Sequence, residues 1–256
     1  MEGRSLAMVT GAASGIGRAA AELFARNGYD VAVMDIAEAV QETAAAAEAE
    51  GAACHSARGD VAEEKDVASF VHDVADRFGR IDVLVNNAGV VLVKPVEEIG
   101  VDEFRRVVNI NLGGIFLFCK HVVPVMKGQR AGAIVNMGSV SGHVGQVDHS
   151  VYGASKGAVI SFTRAIAWEL APHGIRVNSL SPGSVDTPML RGDIDIESRR
   201  TGLPYEEVKK MREAEQAFKR WASPLEIAEA VYFLASEKAS FITGADLLVD
   251  CGWVAK

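Results

Sequence analysis

The 256-residue sequence has few cysteines and no excess of positive charge, and both shortages exclude classes of protein. Cys54, Cys119 and Cys251 are widely separated with no C-x-x-C pair, so neither a zinc site nor a disulfide framework is predicted. The formal net charge of −8 argues against nucleic acid or an anionic membrane as a partner, because both need a positive field. The six histidines show no metal-ligand spacing, so we predict no metal site.

Long apolar runs, linkers and repeats are also missing. The longest purely apolar runs, such as Ile115–Cys119, are far too short to span a bilayer. Residues 1–6 lack an apolar signal segment. We therefore expect a cytoplasmic protein without a membrane partner, folded as a single domain over residues 1–256.

Short apolar runs alternate with segments of helical periodicity, which is typical of parallel βαβ units. The pattern predicts a Rossmann-like, doubly wound α/β fold with a seven-stranded parallel sheet and helices on both faces. One long helix is expected from about Val101 to Met126, and another from about Val151 to Leu170. The strands are predicted at Leu6–Val9, Asp30–Met34, Ala53–Ala57, Val83–Val85, Ala133–Met137, Ile175–Leu180 and Ala245–Val249.

The least regular part of the chain is the charged segment 188–222. It is predicted to be a mobile lid over the substrate with a helix of its own. The alternative is a solvated surface insertion.

A glycine-rich turn, Thr10–Gly17, lies between the first strand and the first helix. Glycines there let the backbone close on a pyrophosphate, and the helix N-terminus supplies free N–H groups. The spacing G-x-x-x-G-x-G differs from the common dinucleotide fingerprint, so the turn alone is weak support for a phosphate site. A Walker A loop is absent.

Asp35 closes the second strand, 18 residues beyond Gly17. A carboxylate there can accept hydrogen bonds from both ribose hydroxyls of NAD and would repel the 2′-phosphate of NADP. No arginine or lysine lies near Asp35 in the sequence, and Ser14 occupies a turn position where a basic residue could have met that phosphate. We therefore predict NAD as the cofactor.

Tyr152 and Lys156 lie one helical turn apart on one helix face. A phenol has a pKa of about 10, and lowering it to about 7 needs roughly 4 kcal/mol. A nearby ammonium and an oxidised nicotinamide could supply this, which would make the phenolate a general base. The pattern Y-x-x-x-K also occurs at Tyr205 and Lys209, but only the first copy has a serine, Ser139, thirteen residues upstream at a strand end.

In these motifs the chain resembles the short-chain dehydrogenase/reductase family, over about residues 6–253. The pieces that carry the resemblance are Thr10–Gly17 as T-G-x-x-x-G-x-G, Asp60-Val61, Asn86-Asn87-Ala88-Gly89, Asn111, Ser139, Tyr152-x-x-x-Lys156 and Pro182-Gly183.

The resemblance implies roles for individual residues. Tyr152 would be the catalytic acid/base, Lys156 would lower its pKa and hold the nicotinamide ribose, Ser139 would bind the substrate oxygen, and Asn111 would hold a water linked to Lys156. The other cofactor contacts expected are Gly11, Ser14, Gly15, Ile16, Gly17, Asp35, Ile36, Asp60, Val61, Asn87, Ala88, Gly89, Pro182, Gly183, Val185 and Thr187. The resemblance also implies a homotetramer formed through the two long helices.

Two positions depart from the family pattern. Gly138 stands where serine is frequent, which we expect to be harmless. Cys251 stands where the family usually has glycine, which puts the C-terminal backbone turn in doubt.

The predicted function is NAD(H)-dependent interconversion of a secondary alcohol and a ketone on a small polar substrate such as a polyol, a sugar derivative or a hydroxy acid. Ser141, His149 and Arg191 are the candidate substrate contacts. One alternative is an NADP-dependent 3-ketoacyl-thioester reductase on the same fold. The other is a catalytically silent dinucleotide-binding sensor.

Overall fold

The computed structural model describes residues 4–255, in which seven strands form one parallel sheet. The strands are β1 (Leu6–Thr10), β2 (Asp30–Asp35), β3 (Cys54–Arg58), β4 (Val83–Asn86), β5 (Gly132–Met137), β6 (Ile175–Pro182) and β7 (Asp246–Val249). Their order, β3-β2-β1-β4-β5-β6-β7, reverses direction between β1 and β4. This is the doubly wound arrangement that the sequence predicts.

Helices cover both faces of the sheet. They are α1 (Gly15–Arg26), α2 (Val40–Ala49), α3 (Glu64–Phe78), α4 (Val101–Val108), α5 (Gly114–Gln129), α6 (Ser150–Leu170), α7 (Pro188–Thr201), α8 (Tyr205–Ala214) and α9 (Pro224–Ala235). Ala7 and Val9 pack towards α1, α2 and α9, whereas Leu6 and Met8 pack towards α3, α5 and α6. Burial on both faces explains why the strands are continuous apolar runs in the sequence.

The long helix expected from Val101 is interrupted. A π-helical turn, Asn109–Gly113, separates α4 from α5. Together, Val101–Gln129 are long and apolar enough to cross a membrane by length and composition alone, a test that core helices of folded domains also pass. Phe118 and Met126 of α5 are nevertheless fully buried in the core beneath the sheet, as in a helix of a folded domain.

The charged segment 188–222 contains two helices, α7 and α8, where the sequence predicts one. Gly202, with φ of 74°, ends α7 in the left-handed conformation typical of a helix C-terminus. Asp193, Ile194 and Val208 are buried, so the segment packs onto the domain along one face of each helix.

The C-terminal turn keeps its backbone conformation with cysteine in place of glycine. Cys251 has φ of 51°, a left-handed conformation that costs a non-glycine residue about 1–2 kcal/mol. The carbonyl oxygen of Cys251 accepts a hydrogen bond from Ala217 N at 2.9 Å, and its Sγ accepts one from Phe218 N at 3.3 Å. These contacts hold the turn against the segment that follows α8.

Candidate active site

A cleft of about 280 Å³ lies at the carboxyl edge of the sheet. The ends of five strands reach it, and the strand order reverses at this edge, where open α/β sheets bind their ligands. Most of the site residues predicted from the sequence line this cleft. They are Gly11, Ser14, Gly15, Ile16, Asp35, Asn87, Ala88, Gly89, Ser139, Ser141, His149, Tyr152, Lys156, Pro182, Gly183, Val185 and Thr187.

The glycine-rich turn is fixed by the strand beside it. Gly11 and Gly15 have φ of 64° and 56°, in the region that glycine adopts without strain. The side-chain amide of Asn87 donates hydrogen bonds to the carbonyl oxygens of Thr10 and Gly11, both at 3.0 Å. A Cβ on Gly17 would lie only 2.2 Å from Gly11 O, so Gly17 serves the packing of the turn and does not line the cleft.

The N-terminus of α1 presents free backbone donors to the cleft. The first intrahelical hydrogen bond runs from Arg18 N to Ser14 O at 3.2 Å, so the N–H groups of Gly15, Ile16 and Gly17 precede the helical ladder. The Ser14 side chain makes no cap hydrogen bond, and the first turn contains no acidic residue. These donors and the helix dipole fit a pyrophosphate.

Asp35 is held at the cleft edge by two backbone donors. Its Oδ2 accepts from Ala13 N at 3.0 Å, and its Oδ1 accepts from Ala37 N at 2.9 Å. A carboxylate has about four acceptor positions, so Asp35 can still accept ribose hydroxyls. The structure corrects the expectation that no basic residue lies nearby: Arg58 is the strand partner of Asp35, and its Nε donates to Ile36 O at 2.9 Å.

The predicted proton-transfer residues lie together on the cleft floor. Ser139 follows β5 after Gly138, and its Oγ accepts a hydrogen bond from Ser141 N at 3.1 Å. The Ser139 hydroxyl acts on Tyr152 in α6 and lowers the pKa of the phenol. Lys156, one turn along α6, has its Nζ 5.8 Å from the Tyr152 ring centroid, and it donates to Met137 O at 2.7 Å.

Burial controls the charge states of these groups. Desolvation lowers the pKa of the buried Lys156 ammonium to about 8. The pKa of Tyr152 is raised, chiefly by burial; the hydrogen bond from Ser139 acts against this, and the negative charge of Asp193 adds to it. The sequence analysis expects a lowered pKa when an oxidised nicotinamide is bound beside Lys156, and without that second charge the pKa of the phenol stays above its ordinary value.

Asn111 lies behind the cleft wall, in the π-helical turn. Its Oδ1 accepts from Val90 N at 2.8 Å, and its Nδ2 donates to Val90 O at 2.9 Å and Ser155 Oγ at 3.0 Å. A Cβ on Gly89 would be 3.3 Å from Asn111 Oδ1 and 3.6 Å from Lys156 Nζ. A side chain at Gly89 would therefore press on Asn111 Oδ1, while its contact with the lysine would be an ordinary one.

Other predicted residues lie outside the cleft lining. Ile36 is 62% exposed, Asp60 lies in the turn after β3, and Val61 is buried beneath α5. Arg191, which the sequence analysis expects to contact substrate, is exposed and does not line the cleft, and its Nε donates to Asp186 Oδ1 at 2.8 Å.

Two charged cleft residues were missed by the sequence analysis. Asp193 on α7 and Arg212 on α8 both line the cleft beside His149. They belong to no local motif, and their neighbours in the sequence are other charged residues of the same segment. Asp193 and Arg212 differ from the exposed charged residues of this segment only in lying on the buried face of their helices.

Gly138, the first departure from the family pattern, has a local explanation. A Cβ at this position would lie 2.4 Å from Ser181 Oγ, which itself donates to Asp246 Oδ1 at 3.0 Å. The space next to the backbone of Gly138 is therefore taken by a hydroxyl from the neighbouring strand.

Comparisons with known proteins agree with this geometry. The model of a family described as enoyl-(acyl carrier protein) reductase matches residues 11–254. The chain is 43% identical to cis-4-hydroxycyclohexanecarboxylate dehydrogenase of Sinomonas cyclohexanicum, over 98% of this chain and 96% of that protein. It is 37% identical to cyclopentanol dehydrogenase of Comamonas testosteroni, over 97% of this chain and 96% of that protein. The solved structure of NAD⁺-bound xylitol dehydrogenase superposes with a TM-score of 0.92 at 33% identity, over 97% of this chain and 99% of the other.

Proposed function

We propose, because the chain belongs to the short-chain dehydrogenase/reductase family, that it interconverts a secondary alcohol and a ketone with NAD(H). The observation that carries the proposal is the meeting of Ser139, Tyr152 and Lys156 in one cleft with the glycine-rich turn and Asp35. Relatives named for hydroxylated cyclohexane and cyclopentane rings, and a neighbour named for xylitol, support a small ring alcohol or polyol as substrate.

The cleft residues fit a dinucleotide along its length. The free N–H groups of Gly15 and Ile16 would bind the pyrophosphate, Asp35 would accept the ribose hydroxyls, and Lys156 would hold the second ribose. Thr187 lies at the other side of the turn, where a Cβ on Gly15 would be 3.1 Å from its Cγ2. When bound, the nicotinamide would supply the hydride acceptor and a positive charge beside the phenol.

The protein's own part in the reaction is proton transfer. Ser139 Oγ would hold the substrate hydroxyl by a hydrogen bond. The Tyr152 phenolate would accept the proton of that hydroxyl as hydride leaves the carbon that bears it. The raised pKa of Tyr152 means that the lysine charge alone does not prepare the base. The added positive charge on cofactor binding would lower that pKa, so the base forms only in the loaded enzyme.

NAD is the proposed cofactor because Asp35, held by two backbone donors, faces the ribose position with a negative charge. Arg58 is the specific observation that favours NADP as a second possibility, since its guanidinium lies at the same edge. We further propose that the enzyme is cytoplasmic and forms a homotetramer through α5 and α6, on which Phe116 and Trp168 are 51% and 83% exposed.

The test is oxidation of small cyclic alcohols and polyols, with NAD⁺ and NADP⁺ compared by nicotinamide absorbance. Tyr152→Phe should lower turnover by about 10³-fold, within the range for loss of a general base, and should keep NADH binding within a few-fold. Tyr205→Phe, the same change in the second Y-x-x-x-K copy, should retain wild-type turnover and is the matched control.

Three outcomes would contradict the proposal. Full turnover by Tyr152→Phe would remove the phenol from the mechanism. Binding of NADH without oxidation or reduction of any alcohol or ketone by the wild type would favour the silent dinucleotide sensor. Preference for NADP⁺ together with ketoacyl-thioester reduction would favour the reductase alternative.

A further inference from the structure

A largely buried cluster of charged residues, most of them on the inner side of the segment 188–222, forms one wall of the cleft. Asp193 Oδ2 is 3.6 Å from His149 Nε2 and 3.6 Å from a terminal nitrogen of Arg212. Arg212 is also paired with Glu197, at 2.7 Å and 3.0 Å. His149, Asp193 and Arg212 all line the cleft, and the His149 ring lies 6.3 Å from the Tyr152 ring.

Arg212 is already paired within the cluster. It faces three carboxylates, those of Asp193, Glu197 and Glu215, the last at 4.0 Å. The Nδ1 of His149 lies 2.6 Å from Val147 O, so Nδ1 carries a ring proton and donates it there. Arg212 is therefore already neutralised and is not a free anchor for an anionic substrate.

One oxygen of the cluster lacks a donor. Asp193 is only 6% exposed, and its Oδ1 has no hydrogen-bond partner among residues 4–255. A buried carboxylate oxygen without a donor is unfavourable, and native proteins rarely leave one unmatched. The side chain lines the cleft together with the apolar residues Met189 and Leu190, so a substrate bound there can supply a donor.

We propose that Asp193 recognises a second hydroxyl group on the substrate, and that it excludes substrates with a carboxylate in that position. The preferred substrate is then a neutral ring diol or polyol: apolar carbon packs against Met189 and Leu190, one hydroxyl meets Ser139 and Tyr152, and another donates to Asp193. This substrate preference rests on the proposed function. It would distinguish the chain from the hydroxycyclohexanecarboxylate dehydrogenase that it resembles, because the named substrate of that relative carries a carboxylate.

The first experiment uses the wild-type enzyme and three probes that share one ring: cyclohexanol, cyclohexane-1,4-diol and 4-hydroxycyclohexanecarboxylate, the last two in both cis and trans forms. We expect kcat/KM for the better diol isomer to exceed that for cyclohexanol and for the carboxylate by about tenfold or more, because a site that binds a hydroxyl discriminates against analogues without it. This comparison needs no variant, so it stands even if a substitution disturbs the lid.

The second experiment removes the negative charge of Asp193 by substitution. Asp193→Asn should lower the diol-to-carboxylate ratio of kcat/KM by at least about tenfold, mainly through KM, because the amide is neutral and can donate to a carboxylate. Cyclohexanol, which has no group to meet Asp193, should keep its KM. Asp195→Asn, an exposed carboxylate two residues along the same helix, should leave the ratio unchanged.

The outcomes separate the two proposals. Oxidation of all three probes with equal kcat/KM, a wild-type preference for the carboxylate, or an unchanged ratio in Asp193→Asn overturns the role of Asp193 and leaves the alcohol dehydrogenase intact. No oxidation of any probe by the wild type, with either nicotinamide cofactor, overturns both.

Discussion

The chain contains the pattern Y-x-x-x-K twice, and the two copies lie in opposite surroundings. In the first, Lys156 is buried, donates to Met137 O at 2.7 Å, and has a pKa lowered to about 8. In the second, Lys209 is one-third exposed, lies 4.0 Å from Glu213, and stacks over the Trp221 ring at 5.2 Å. Only the first copy lines the cleft.

The difference lies in what surrounds each helix. The first copy begins α6 at the carboxyl edge of the sheet, beside Ser139, where burial removes water from both the phenol and the ammonium. The second begins α8, whose other side faces solvent. The same residue types at the same spacing therefore give a buried pair in the cleft in one place and a surface contact in the other. Each prediction below tests this contrast.

The largest expected effect is on turnover. Lys156→Met should lower kcat/KM by roughly 10²- to 10³-fold, because it removes a positive charge beside the phenol and a ribose contact. Lys209→Met should stay within about twofold, since surface contacts contribute little. Steady-state kinetics with the best alcohol checks both. Equal losses in the two variants would mean that the second copy takes part in the reaction.

The next largest expected effect is on stability, and its sign follows from the lowered pKa of Lys156. Between the folded pKa of about 8 and the ordinary value of 10.5, the unfolded chain binds the Lys156 proton and the folded chain does not, so stability rises with pH in this interval. Across this interval the free energy of unfolding rises by about 3 kcal/mol. Lys156→Met should lose this rise relative to wild type, and Lys209→Met should keep it.

Denaturant unfolding at several pH values between about 7 and 10 measures the difference between each variant and wild type. Using differences removes the contribution of the buried Cys54 and Cys119, whose raised pKa values of about 12 act in every variant alike. An unchanged pH slope in Lys156→Met would show that the ammonium is not buried as the structure has it.

The sequence predicts the fold and many of the residues that line the cleft, for a physical reason. The alternation of strands and helices, the glycine-rich turn, Asp35 and the Ser139, Tyr152 and Lys156 set are patterns that short stretches of sequence carry. Asp193 and Arg212 reach the cleft, and Arg58 lies opposite Asp35, through pairing between separate elements, which no local spacing encodes. Arg191 and Asp193 lie on the same helix, and the sequence does not distinguish the exposed charge from the buried one.

The smallest effect concerns the charge next to the phenol. Asp193 raises the pKa of Tyr152, so Asp193→Asn should lower that pKa and move the acid limb of the kcat profile for alcohol oxidation to lower pH. Asp195→Asn should leave the limb in place. The pH dependence of kcat for cyclohexanol checks this, because that substrate has no second group to be affected. A shift to higher pH would contradict the electrostatic role.

The most direct test of the central claim is titration of the Tyr152 phenol itself. The difference in phenolate absorbance between wild type and Tyr152→Phe isolates this group from the other three tyrosines. Without cofactor, the phenol should titrate above its ordinary pKa of about 10. With NAD⁺ bound it should titrate well below that value, near neutral pH. A phenol that titrates at the same pH with and without NAD⁺ would contradict the account.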